Sequence, residues 1–358
     1  AERGQALAFA NVFINRTTIG MTATADGTFH FNSLDPGIVE LICSFIGYQT
    51  VKIPLNMKPG ETRKITISLI PVETELQTVT VEARKDKEWA KDLEKFRKVF
   101  FGKDDDASQC VISNPEVISF SKTDTSFVAT ASQPLHIVNP ALGYRITYEL
   151  AHFSSDRDQF AIGGNIQFHP LETADPLLAG RWTENRMKSY HQSLAYLLRS
   201  IVEGKFRERG FKVYKDKVYE KVLMRNALFT NAKERMEPFD QSLHVRKTYD
   251  SAFYLLTVAE RLEVHDNRSN RGTTYRDVRA PVTWLETNGP LLISPMGVPQ
   301  NPGALQVVGA MSDRRVAHLL PEDYMPDQTA EIWVAPPAPD GLKSMSEKIY
   351  LHTAKYYY

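Results

Sequence analysis

Residues 1–83 read as short apolar runs broken at close intervals by turn residues. Phe9-Ala10-Asn11-Val12-Phe13-Ile14 opens the series. Asp26-Gly27 marks a tight turn between strands expected over 22–25 and 28–31. Asp35-Pro36-Gly37 is a second turn, because proline presets φ and glycine accepts positive φ. It feeds a strand over 38–46, which Gly47 breaks before a further strand over 48–53. Lys58-Pro59-Gly60-Glu61 precedes a strand over 65–69, and 78–81 closes the segment. Short strands with turn chemistry between them predict a small sandwich.

The period then changes. Over 85–101, Trp89, Leu93, Phe96 and Phe100 fall on one helical stripe, which Gly102 ends. Strand-like texture returns over 117–120, 126–130, 135–138, 144–150 and 159–168. One main helix is expected over about 184–203, with Met187, Tyr190, Leu194, Leu197, Leu198 and Ile201 facing a core and Gly204 stopping it. The remainder, 211–358, is again mainly strand-like. The expected fold class is mainly β with a few helices. It divides into a β-sandwich over 1–83, a helical connector over 84–102 and a β-rich body over 103–358, with two subdomains one option for the body.

Hydrophobic residues make up 42% of the 358 positions and charged residues 24%, which is globular composition. Lys plus Arg and Asp plus Glu each total 43, so no net field draws the chain to nucleic acid, and no nucleic-acid partner is expected. Two cysteines, Cys43 and Cys110, are too few for a disulfide framework or a zinc ribbon. Cys43 lies in the apolar run Leu41-Ile42-Cys43-Ser44-Phe45-Ile46, which favours a buried free thiol over a disulfide. No stretch reaches the ~18 apolar residues of a membrane helix. The chain opens at Ala1-Glu2-Arg3 without an initiator Met, as a processed chain would, so an earlier signal or lipid anchor stays open.

Residues 7–83 resemble the carboxypeptidase regulatory-like, or transthyretin-like, domain of Bacteroidota envelope proteins. The matching residues are Ala10-Asn11-Val12-Phe13-Ile14, Thr18-Ile19-Gly20, Asp26-Gly27-Thr28-Phe29 and Leu34-Asp35-Pro36-Gly37. They continue with Ser44-Phe45-Ile46-Gly47-Tyr48-Gln49-Thr50 and Leu76-Gln77-Thr78-Val79-Thr80-Val81. The opening strand usual in that family is missing before residue 5. Segments 89–101, 110–117, 139–144 and 186–200 are similar to the body of such proteins. The resemblance implies a transthyretin-like β-sandwich, export, residence at the outer membrane and association with its machinery. It implies no enzymatic activity.

Several motifs invite chemistry. His169-Pro170-Leu171-Glu172 has the His-x-x-Glu spacing of a zinc site, with His152 or His191 as a third ligand. The proline between them and the lack of strand–helix alternation favour a plain strand end. Asp104-Asp105-Asp106 lacks the glycine and bidentate glutamate of a calcium loop and reads as a solvated turn. His318 lacks metal spacing. No catalytic, cofactor-binding or metal-binding residue is expected. Lys205, Arg207, Arg209 and Lys212, interleaved with Phe206 and Phe211, form a basic run that could meet a partner. Arg268, Arg271, Arg276 and Arg279 form a looser basic group. Tyr356, Tyr357 and Tyr358 suit either an interface or a final core strand.

The expected function is therefore docking: a non-enzymatic accessory or scaffold subunit of an outer-membrane assembly, of transporter or barrel-assembly type. Its partner would be a barrel protein or another envelope subunit. Membrane association would come through partners or an N-terminal anchor, with the periplasmic side preferred over the cell surface. A surface carbohydrate- or peptide-binding module, with Trp182, Trp284 or Trp333 as stacking faces, is the alternative, and a metallo-hydrolase the weakest.

Overall fold

A computed structural model describes residues 6–34, 36–72, 87–156, 159–216, 236–249, 253–269, 280–326 and 353–356. Among these the chain is mostly β, with five α-helices.

The N-terminal domain is built on a four-stranded antiparallel sheet, ordered β2-β1-β3-β4. Its strands are β1 (Asn11–Ile14), β2 (Gly20–Thr22), β3 (Gly37–Ser44) and β4 (Val51–Met57). Alternation sends Val12, Ile14, Leu41, Cys43 and Leu55 into one core, since successive side chains of a strand face opposite ways. The strands expected over 28–31 and 65–69 do not form, because neither segment is taken into the ladder of the sheet. Both segments still deliver Phe29, Phe31, Ile65, Ile67 and the buried Leu69 to that core, closing the sandwich. Gly27 takes φ +77° at the Asp26-Gly27 turn. The strand expected over 78–81 lies outside the described residues.

Helix α1 (Lys87–Phe100) follows. Its expected stripe is real, but it does more than connect. Phe96 and Phe100 are completely buried, stacked at 4.8 Å, with Phe96 against Phe153 at 4.7 Å and Phe100 against Tyr148 at 5.1 Å. These partners belong to β-strands of the body, so the helix packs into the body's core.

Twelve strands of the body share one sheet. The first half contributes β5 (Val111–Ile112), β6 (Ile118–Lys122), β7 (Phe127–Ala131), β8 (Leu135–Asn139), β9 (Tyr144–Ser155) and β10 (Gln159–Pro170). The second contributes β11 (Phe211–Asp216), β12 (Met236–Pro238), β15 (Leu262–Asp266), β16 (Val282–Thr287) and β18 (Leu305–Gly309). Strand β19 (Thr353–Tyr356) lies between the halves, parallel to β10 and antiparallel to β18. A separate three-stranded sheet joins β13 (Val245–Lys247), β14 (Tyr254–Leu256) and β17 (Leu291–Ile293). Each half has its own apolar core. The first is rich in phenylalanine; the second packs Leu197, Leu198 and Ile201 over Phe211, Val264, Leu285 and Val307.

The helix expected over 184–203 is two helices: α3 (Pro176–His191) and α4 (Leu194–Val202), with α2 (Asp105–Gln109) earlier in the chain. Ser193 makes the break by accepting from the Tyr196 N–H at 3.1 Å, an N-cap inside the apolar run. Asp175 caps α3 by accepting from Leu177 N–H, and Pro176 occupies its first turn.

The N-terminal domain is hydrogen-bonded into the body. Strand β19 pairs with β10 only at 159–162, leaving the same edge open further along. There Arg16 N–H donates to Ile166 O at 2.7 Å and Phe168 N–H donates to Thr17 O at 3.0 Å. The Asn15 side chain accepts from Ile166 N–H at 2.8 Å, and Asn11 donates to the Gln167 side chain at 2.9 Å. Residues 15–17 thus finish an edge strand that would otherwise offer unpaired groups.

Candidate functional site: a cavity beside the domain junction

Four stretches far apart in sequence meet next to this junction. They are β10, the α3–α4 corner, the loop 294–299 and the segment 307–324, and they enclose a cavity of about 140 Å³. Ile166, Phe168, Val307 and Met311 form a buried floor. Leu194, Ala195, Met296 and Val298 form a half-buried mouth.

The loop is set by its own hydrogen bonds. Ser294 N–H donates to Val298 O at 2.9 Å, and Val298 N–H returns to Ser294 Oγ at 3.1 Å. Gly297 has φ +83°, and a Cβ there would lie 1.9 Å from Ala195 O. Only glycine lets this loop lie flush on α4.

Charged groups at the edge of the cavity are paired with one another. Arg16, at φ +61°, directs its guanidinium to Glu322, and Glu322 N–H donates to Arg16 O at 2.7 Å. Thr18 N–H and hydroxyl both donate to Asp323. Burial pushes the Glu322 carboxyl above its ordinary range, against the pull of Arg16.

His318 contacts Asp104 through Nε2 at 2.6 Å, while Arg314 Nη1 lies 3.1 Å from its Nδ1. A guanidinium only donates, so Nδ1 accepts and the Nε2–H donates to Asp104. Burial opposes the Asp104 charge. The His318 bond and the Ala107 N–H outweigh it and bring the carboxyl down to about 2.

A second polar cluster lies behind α3 and α4. His191 packs edge-on to Tyr196 at 4.8 Å, and Arg268 lies over Tyr196 and Phe211. Burial, then the charges of Arg268 and Arg209, lower the His191 imidazole to about 4. Its Nδ1 and Arg268 Nη1 are buried atoms with no hydrogen-bond partner among the described residues.

The residues singled out from sequence fall as follows. Lys205 and Arg207 are exposed on the turn between α4 and β11, and Lys212 is exposed on β11 itself, whereas Phe206 and Phe211 beside them are buried. Arg209 turns inward, paired with Glu203 and stacked over Tyr196. Tyr356 is on β19; Tyr357, Tyr358 and Trp333 lie outside the described residues, as do Arg271, Arg276 and Arg279. His169 is half-buried, and burial and Arg145 lower its imidazole, while Glu172 is exposed. His152 bonds Ser154 at 3.0 Å, and His191 belongs to the tyrosine cluster. Among the described residues, no three His, Cys, Asp or Glu side chains form a group that could hold a metal ion. Trp182 is buried and donates to Pro140 O at 2.8 Å; Trp284 is buried and donates to Glu263 at 2.8 Å. Both cysteines are free and buried. No described helix is long and apolar enough to cross a membrane.

Residues 1–81 match the family model of the CarboxypepD_reg-like domain. This defines the class of the N-terminal module: a CarboxypepD_reg-like β-sandwich. No curated protein and no solved structure matches the chain. Sequence reasoning overlooked Arg16, Glu322 and Asp323. The one signal was local: an arginine in the turn Asn15-Arg16-Thr17-Thr18 between β1 and β2. Its partner Glu322 lies more than three hundred positions away, as does Asp323, the partner of Thr18.

Proposed function

We propose that this protein is a non-enzymatic scaffold subunit of the Bacteroidota cell envelope that docks onto an outer-membrane barrel protein. The observation that carries the reading is an apolar patch on the CarboxypepD_reg-like domain. Ile46 is 96% exposed and Ile70 60%, and Val72 is exposed beside them. The backbone holds them together, because Gln49 N–H donates to Ile70 O and Val72 N–H donates to Gly47 O. Exposed apolar side chains grouped in this way mark contact surfaces. The junction at β10 makes the domain one piece with the body, as a scaffold requires. The exposed Lys205, Arg207 and Lys212 supply a second, charged face. The stacking-module alternative loses Trp182 and Trp284, whose rings are buried and whose N–H groups are engaged.

The test is affinity purification of the tagged full chain from detergent-solubilised envelopes, with mass spectrometry of what co-elutes. A barrel protein in stoichiometric amount, lost when Ile46 and Ile70 are both changed to Asp, is expected. A chain that elutes alone, or that keeps its barrel partner in the double variant, overturns the reading.

A further inference from the structure

We infer that the cavity beside the domain junction is a binding site for a small, neutral, apolar molecule about the size of one six-membered ring. The inference does not depend on the docking function.

Size comes first. The cavity measures about 140 Å³. Apolar protein cavities of roughly 150 Å³ stay free of water and admit benzene. Protein interiors seldom keep gaps larger than a water molecule, so an apolar recess of this size offers room that packing elsewhere in the fold does not leave.

The chemistry of the wall decides which occupant. The floor is aliphatic and aromatic: Ile166, Phe168, Val307 and Met311. The charged side chains around it are committed to other groups, as are Tyr190 and Ser193, while Ser189 and Tyr324 add two hydroxyls to the wall. Tyr190 Oη accepts from Arg199 at 2.9 Å, and Ser193 Oγ donates to Tyr190 O at 2.7 Å while capping α4. Arg16 binds Glu322, and His318 binds Asp104 and Arg314. A bound water needs two to four polar partners, and a charged ligand needs a counter-charge that is not already committed. This wall suits neither. It rewards an apolar body alone.

Access and rigidity agree with a site. Leu194, Ala195, Met296 and Val298 leave the mouth half-open, and Met296 is an unbranched side chain able to change rotamer. The opposite requirement, a fixed wall, is met by Gly297, which seats the loop on the α4 backbone.

The experiment uses the full chain with toluene as the neutral probe and benzoate as its charged counterpart. Toluene is expected to raise the Tm of the body by about 2–4 °C. Benzoate at the same concentration should leave it unchanged. Ala195→Leu, which fills the mouth, should abolish the toluene effect without lowering the Tm of the free protein. Should that variant fail to fold, methyl NMR of the wild-type protein decides: toluene must shift the Met296 and Met311 methyl signals. A toluene effect equal in wild type and Ala195→Leu, a benzoate effect as large as that of toluene, or unmoved methionine methyls would each overturn the inference.

Discussion

The N-terminal sandwich and the body bury their side chains differently. The sandwich core is small: Val12, Ile14, Leu41, Cys43, Leu55 and Leu69 are buried, and a ring of half-exposed residues from Leu7 to Ile67 surrounds them. The body buries Phe96, Phe100, Phe127, Phe153 and Phe168 almost completely in one core, and Leu197, Leu198, Ile201 and Val307 in another. Yet the sandwich is the region that matches a family model. A recognisable pattern of turns therefore does not make the sturdier unit. Small domains bury a smaller fraction of their surface, and this one gains support from the edge of β10.

All four tryptophans lie beyond residue 83, so their fluorescence follows the body while far-UV circular dichroism follows both regions. This separation lets the comparison be broken at defined points. The largest effect is expected from Phe96→Ala, which should lower body stability by about 3–5 kcal/mol. Urea unfolding followed by tryptophan fluorescence reads it. An unchanged midpoint would mean that α1 does not belong to the body.

Next is His191. Its folded value of about 4 lies below the ordinary 6.5. Unfolding therefore takes up a proton in between, and body stability falls as pH drops from about 6.5 towards 4, by about 3 kcal/mol in total. His191→Phe keeps a ring against Tyr196 and should flatten this part of the pH profile. A profile identical to wild type would refute the assignment.

Gly297→Val should cost the body about 2–3 kcal/mol, through positive φ and the collision with Ala195 O. Arg16→Gln acts on the seam itself. Losing one partner of a half-buried pair is expected to cost about 1–2 kcal/mol. The fluorescence and circular dichroism transitions, expected to coincide in wild type, should separate. Coincident transitions in the variant would show that the junction does not couple the two regions. The smallest effect belongs to Lys205→Gln with Lys212→Gln. Both side chains are exposed, so stability should stay within about 0.5 kcal/mol of wild type in the same urea titration.

Much of the sandwich was legible because its rules are local. Gly27 at a turn and the alternation in β3 can be read from neighbours in the chain. The stripe on α1 was legible too, but its destination was not. A stripe says that a face will be buried and not against what. The division of 184–203 into two helices escaped because Ser193 sits in an otherwise continuous apolar pattern. Only its side-chain bond to Tyr196 N–H shows that it caps. The basic run is legible as a run, whereas its orientation is not: the ion pair with Glu203 holds Arg209 inward, and alternation along β11 places Lys212 outside.

The sequence by itself determined the strand-rich class, the CarboxypepD_reg-like module, the turn positions and the amphipathic faces, because each depends on residues a few positions apart. Only the tertiary structure decided the seam between Arg16 and Glu322, the order of strands around β19 and the cavity between α4 and the Gly297 loop. Those features join positions separated by a hundred residues or more. Their free energy comes from packing and hydrogen bonding across surfaces that exist only once the chain has folded.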